Sequence, residues 1–253
     1  MTRIVVVTGA ASGIGAACLR ALNERGWTAV GLDRTDGDRI STVAAPMVDA
    51  DAPQLWRCDV TDPDDVAQAA SLVADAGGCE ALVNVAGVLR AGPVGSLDPT
   101  AFREMIDVNL VGVLHCLQAF GPQVIERGGS VVTVASNSAG VPRTGIGAYG
   151  ATKAAAAMLT RSFGLENAGA GVRANVVHPG STRTPMLESL WADPSGETST
   201  LNGDLDAYRL GIPLRRIADP VDIADTVAFL LASDARHITM QELYVDGGAS
   251  LRS

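Results

Sequence analysis

Tyr149 and Lys153 stand four residues apart in the segment Ala148-Tyr-Gly-Ala-Thr-Lys-Ala-Ala-Ala-Ala157. The segment is rich in alanine and free of proline, so it is a strong helix former. Positions i and i+4 share one helix face, which lets the phenol and the ammonium point into one cleft. A tyrosine ordinarily titrates near ~10. A fixed positive charge beside it favours the phenolate and lowers that value. A phenol tuned this way can take a proton from an alcohol near neutral pH. Read alone, the pair also fits an exposed helix face, so its meaning depends on what surrounds it.

A second cluster of chemical interest is Thr8-Gly-Ala-Ala-Ser-Gly-Ile-Gly15. Gly9, Gly13 and Gly15, with Ser12 and Ile14 among them, allow a sharp turn and a close backbone approach to a ligand. A helix starting there presents free N–H groups and a positive dipole end to a pyrophosphate. The spacing is Gly-x-x-x-Gly-x-Gly rather than Gly-x-Gly-x-x-Gly, and by itself it also fits an ordinary tight turn. Further on, the run Thr28-Ala-Val-Gly-Leu-Asp33 ends in an acid where a ribose-binding carboxylate belongs. Asp33 would accept hydrogen bonds from ribose hydroxyls and repel a 2′-phosphate, so the expected cofactor is NAD. Arg34 is either a guanidinium able to pair with that phosphate or a solvated surface side chain.

Groups so far apart in sequence need a frame to bring them together. Apolar, β-branched runs at 3–8, 28–33, 54–58, 81–84, 130–135, 172–177 and 242–245 read as strands. Helical patterns fall at 13–25, 63–76, 99–126, 148–168 and 220–232. This alternation predicts an α/β fold, a parallel sheet with helices on both faces. Asp62-Pro63 and Asp219-Pro220 resemble an N-cap followed by proline at the first helical position. Residues 35–53 read as an irregular surface loop. No linker divides the chain, so residues 1–253 are expected to form one dinucleotide-binding catalytic domain. The segment 181–212 is expected to be a substrate lid, since long segments between elements are commonly functional.

On these residues the chain resembles the short-chain dehydrogenase/reductase family over essentially its whole length. The motifs stand in order: Thr8-Gly-x-x-x-Gly-Ile-Gly15, Asp59-Val60, Asn84-Val-Ala-Gly87, Asn109, Ser136, Tyr149-x-x-x-Lys153, and Pro179-Gly180 with Thr184. The resemblance implies a single doubly wound Rossmann-type sheet and a catalytic set of Asn109, Ser136, Tyr149 and Lys153. It implies that Asp59 and Val60 face the adenine. Asn84, Ala86 and Gly87 would line the middle of the cofactor, and Pro179, Gly180, Thr182 and Thr184 would orient the nicotinamide. It also implies a homotetramer. Val85 stands where the family more often has a second Asn.

Segments beyond the general motifs, among them Leu82–Gly92, Thr133–Arg143, Leu210–Leu214 and His237–Gly248, resemble a branch of the family, and that resemblance implies a carboxylated cyclohexadiene diol as substrate. Ile146, Gly147 and His178 depart from that branch. Arg143 and Arg90 are the candidate partners of the substrate carboxylate, with Ile146 and Ser136 also at the substrate. Arg143 also fits a surface or subunit-interface role. His178 is either a packed, hydrogen-bonded core residue or a substrate contact. Two other readings stay open: a substrate with an amino group in place of the 2-hydroxyl, and an NAD-binding regulator without catalysis.

Composition narrows the partners. The chain has 253 residues, is 47% hydrophobic and carries a net charge of −9, which suits one large core and disfavours nucleic acid and anionic membrane. No uninterrupted apolar run reaches membrane-spanning length. Cys18, Cys58, Cys79 and Cys116 form no C-x-x-C pair and read as reduced, mostly core thiols. The histidines lack metal-site spacing, so no metal is expected. The start of the chain runs directly into a strand, and a cytoplasmic location is expected.

Overall fold

The computed structural model describes residues 3–34, 54–191 and 195–251. The stretch 35–53, read above as a surface loop, lies outside the described residues. Seven strands form one sheet: β1 Ile4–Thr8, β2 Thr28–Asp33, β3 Gln54–Arg57, β4 Cys79–Asn84, β5 Ser130–Val134, β6 Arg173–Pro179 and β7 Glu242–Val245. Every pairing is parallel, in the order β3-β2-β1-β4-β5-β6-β7. The order reverses between β1 and β4, and a crevice at the carboxyl ends of these strands is where such sheets bind ligands.

Period-two alternation divides the inner strands between two cores. In β1, Ile4 and Val6 join one apolar cluster and Val5 and Val7 the other. Helix α1 (Gly13–Glu24) covers the second face, together with the helix over Pro220–Leu231. On the first face lie α2 (Pro63–Asp75), the helical segment Pro99–Glu126 and the helix over Gly147–Asn167. A sheet buried on both faces needs apolar residues at successive positions, which is why its strands read as continuous apolar runs.

The segment Pro99–Glu126 is long and apolar enough to cross a membrane by length and composition alone. It carries Arg103, Glu104 and Asp107, it buries Met105, and it packs Val113, Cys116, Phe120 and Val124 into the core cluster on this face of the sheet. It is not uniform. Helix α3 (Pro99–Ile106) passes through a π-helical turn at Asp107–Val111 into α4 (Gly112–Glu126). Following it are α5 (Gly147–Asn167), α6 (Pro185–Glu188), α7 (Gly196–Asn202) and α8 (Pro220–Leu231). The segment expected to be a lid thus holds two short helices, α6 and α7, which the sequence reading did not foresee. They have too few turns to show a periodic pattern.

Candidate active site

At the switch point the glycine turn joins β1 to α1. Gly9 has φ +65°, and a Cβ there would sit 2.8 Å from the Ala86 backbone. A Cβ on Gly15 would collide with the Gly9 carbonyl oxygen. Only glycine lets this turn lie so close to the end of β4. Thr8 Oγ1 completes the junction by accepting the N–H groups of Val85 (3.0 Å) and Ala86 (3.1 Å). Ser12 is the N-cap of α1, yet its side chain makes no capping bond, so the first-turn N–H groups are not taken up by it. Asp33 closes β2 and accepts the Ala11 N–H at 2.9 Å.

Two cavities of about 300 and about 310 Å³ meet along Ile14, Ala135, Tyr149, Thr184 and Met186. The first opens at the glycine turn. Gly9, Ser12, Gly13, Ile14, Gly15, Asp33, Arg34, Asp59, Val60, Ala86, Gly87, Lys153 and Thr184 line it. Cys58 also reaches its wall. Burial, and then the charge of Asp65, push that thiol up to about 12, which disfavours the thiolate near neutral pH. The cradle of glycines, the uncapped helix end and the carboxylate at the end of β2 fit a dinucleotide. Asn84 stands behind this wall rather than on it. It is buried and donates to Thr133 Oγ1 at 3.3 Å, tying β4 to β5.

The second lobe holds Ser136, Ile146, Tyr149, Pro179, Gly180, Thr182 and Arg143. Tyr149 and Lys153 are both almost fully buried and share the inner face of α5. Ser136 begins a short turn after β5, and its Oγ accepts the N–H and the hydroxyl of Ser138. The Ser136 hydroxyl also hydrogen-bonds the Tyr149 phenol and lowers its pKa, but burial dominates and pushes the phenol up to about 12. This corrects the sequence expectation of a phenol lowered by Lys153. The Lys153 Nζ is 6.0 Å from the Tyr149 ring centroid and donates to the Val134 carbonyl at 3.1 Å. Burial alone brings that ammonium down to about 8.

Asn109 lies in the π-helical turn and is fully buried. It clamps Val88, accepting its N–H at 2.8 Å and donating to its carbonyl at 2.9 Å. It also donates to Thr152 Oγ1, which donates in turn to the Tyr149 carbonyl. Thr152 was visible inside the Tyr-x-x-x-Lys segment, but spacing alone gave it no role. His178 is buried on β6 with Nδ1 2.7 Å from the Ser136 carbonyl and Nε2 2.9 Å from Glu242. Of its two sequence readings, the buried hydrogen-bonded one matches.

The two candidate cations part company. Arg90 is outside both cavities, held by Glu104 through bonds of 2.9 and 2.7 Å. An exposed guanidinium occupied by a carboxylate on α3 is not available to a ligand in the cleft, so Arg90 is set aside. Arg143 lines the second lobe, and so does Arg209, which sequence reasoning missed. Nothing in the polar run around Arg209 marks it out; only the fold brings it to the cavity.

A family profile described as enoyl-(acyl carrier protein) reductase matches residues 9–250. The 2,3-dihydro-2,3-dihydroxybenzoate dehydrogenase of Bacillus subtilis (strain 168) is 41% identical, over 98% of this chain and 96% of its own. The vibriobactin-specific 2,3-dihydro-2,3-dihydroxybenzoate dehydrogenase of Vibrio cholerae serotype O1 is 39% identical, over 98% and 95%. Among solved structures, a 3-ketoacyl-(acyl-carrier-protein) reductase from Brucella melitensis complexed with NADH superposes with a TM-score of 0.81 at 28% identity, over 98% of each chain.

Proposed function

Since the chain belongs to the short-chain dehydrogenase/reductase family, we propose that it is an NAD-dependent dehydrogenase oxidising 2,3-dihydro-2,3-dihydroxybenzoate at its C3 hydroxyl. The product is 2,3-dihydroxybenzoate, a catechol of the kind built into siderophores. The observation that carries the reading is the convergence of Tyr149, Ser136 and Lys153 where the two lobes join.

The first lobe would hold NAD. Gly9, Ser12, Gly13, Ile14 and Gly15 meet the pyrophosphate, and Asp33 meets the adenosine ribose with Arg34 beside it. Asp59 and Val60 meet the adenine, Ala86 and Gly87 the middle of the cofactor, and Pro179, Gly180, Thr182 and Thr184 the nicotinamide. When bound, the oxidised nicotinamide takes up hydride and brings a positive charge that favours the phenolate. Tyr149 then accepts the proton of the C3 hydroxyl, and Ser136 holds that oxygen by a hydrogen bond. Lys153 orients the nicotinamide ribose and adds its own charge. Asn109 keeps the Val88 backbone and α5 in register. As C3 gives up hydride it becomes a carbonyl, and the ring ketone tautomerises to the catechol. Arg143 meets the substrate carboxylate, and Ile146 packs on the ring.

The described parts of 181–212 act as a lid over the second lobe, to which Met186, Leu187 and Leu190 contribute. The protein works in the cytoplasm, which four free, buried cysteines suit. It acts as a homotetramer, which exposed Met158 and Leu165 on α5 support.

The test is NADH absorbance with purified protein, NAD and the dihydrodiol. NADP and the analogue with an amino group at C2 are run beside it. A fast, NAD-dependent signal with the dihydrodiol is expected. Tyr149→Phe should cut turnover by a factor of about 100 or more while retaining NAD binding by fluorescence titration. Turnover of the amino analogue alone would move the substrate, and silence on both would leave a binding protein.

A further inference from the structure

Two guanidinium groups line the second lobe, and among the described residues no carboxylate lines it. Arg143 comes from the loop before α5, and Arg209 from the lid segment. Burial, and then the charge of Arg209, push the Arg143 guanidinium below its ordinary value, while Asp246 acts in the opposite sense. Asp246 is itself saturated. It accepts from Asn137 Nδ2, from the Gly248 and Ser250 N–H groups and from Ser250 Oγ. The only hydrogen bond of the Arg143 guanidinium among the described residues is one long donation to the Ala249 carbonyl, at 3.4 Å. Among the described residues Arg209 makes no side-chain hydrogen bond or ion pair.

Arg209 is not carried on a loose strand. Asp204 and Arg209 exchange backbone hydrogen bonds of 2.9 and 2.8 Å across a tight turn. The Asp204 carboxylate accepts the N–H groups of Asp206 and Ala207 inside that turn. Ile212 N donates to the Leu201 carbonyl and ties the turn to α7. Thr144, next to Arg143, donates to the Ala207 carbonyl at 3.4 Å, so floor and lid already touch here. Leu89, Ile146, Leu190 and Ile212 make the walls between apolar. Two like charges in a partly apolar cavity repel, and each is stabilised by one anion placed between them. A carboxylate has two oxygens and can take one guanidinium on each.

We propose that Arg143 and Arg209 form a clamp on the ring carboxylate of the substrate. Arg143 is fixed to the floor and Arg209 is supplied by the lid, so that the carboxylate itself draws the lid down. Arg209 is thereby a specificity-determining residue. The proposal rests on the substrate reading above for the identity of the acid, but the clamp is tested apart from turnover.

The experiment is calorimetric titration of the full-length protein in the presence of NAD, with 2,3-dihydroxybenzoate and with catechol, which differ only by the carboxylate. The wild type should prefer the acid. Arg209→Gln should lower the ratio of the two affinities by about 10- to 100-fold, since a charge-assisted hydrogen bond is lost. Arg143→Gln should do the same, and Arg209→Lys should keep part of the preference because charge survives without the fork. A wild type with no preference for the acid, or an Arg209→Gln variant whose ratio stays within about twofold of wild type, overturns the clamp. If the ratio falls as expected while the protein does not oxidise the dihydrodiol, the substrate reading fails and the clamp stands. If the dihydrodiol is oxidised and the ratio is unmoved, the clamp fails and the substrate reading stands.

Discussion

His178 has an acceptor at each ring nitrogen. The Ser136 carbonyl can only accept, so Nδ1 carries a proton and donates to it. Nε2 meets Glu242 Oε2, and Glu242 Oε1 is paired with Arg161 at 2.9 Å. Tyr244 stacks on the ring with centroids 4.6 Å apart. The imidazole therefore fixes the backbone of the residue whose hydroxyl hydrogen-bonds Tyr149. Replacing His178 by serine would leave the Ser136 carbonyl short of a donor and Glu242 with one partner fewer. Stability should fall by roughly 2–4 kcal/mol in urea unfolding. The kcat should fall about tenfold with KM moving less, because Ser136 serves the reacting oxygen. Lost stability with unchanged kcat would reduce the ring to packing. The sequence marks His178 as unusual but does not show Glu242 as its partner. That contact depends on β6 pairing with β7 so that His178 lies opposite Tyr244 and near Glu242, and register is a property of two strands rather than one.

At the scale of elements, the π-helical turn is the feature that most affects the site. An α-helix with one extra residue in a turn shifts the phase of everything after it, and such turns often occur at functional sites. Here the turn puts Asn109 between Val88 and Thr152, joining the loop after β4 to α5. Asn109→Ala removes all three of these bonds and leaves the Val88 N–H and carbonyl without their side-chain partner. About 3 kcal/mol of stability should be lost. NAD binding should also weaken, because Gly87 and Val88 line the nucleotide lobe. Fluorescence titration of NAD against Asn109→Ala checks this, and an unchanged affinity would detach the turn from the cofactor. The sequence reads the whole stretch as one helix over 99–126, which it nearly is. A single five-residue turn is too short to show a period of its own, so periodicity alone does not locate the phase shift it makes. The same limit hid α6 and α7, whereas the strands and long helices were legible because each buries a face for its full length.

For the molecule as a whole, the buried ionisable groups make stability depend on pH, and their signs differ. Lys153 is held near 8 by burial, against an ordinary value near ~10.4. Below about 8 the native state carries a charge it disfavours as much as it ever will, so the full cost is present there. As pH rises from there toward ~10.4, the unfolded chain binds more protons than the native one, and this contribution moves stability upward. Tyr149 runs the other way. It is raised to about 12, so the unfolded chain ionises first and stability falls as pH climbs from ~10 toward that value. The buried thiols Cys18, Cys58 and Cys79, each raised to about 12, subtract in the same sense above ~8.5. The net wild-type curve mixes all of these, so the lysine contribution has to be isolated by difference. Lys153→Met removes it while leaving the phenol and the thiols in place. The stability of the wild type minus that of the variant, from urea unfolding of the protein alone, should rise by about 2 kcal/mol between about pH 7 and about pH 9.5. A flat difference would mean that the Lys153 ammonium is not held at a cost by the fold. Its placement under Tyr149 would then owe nothing to the burial that shapes the rest of this cleft.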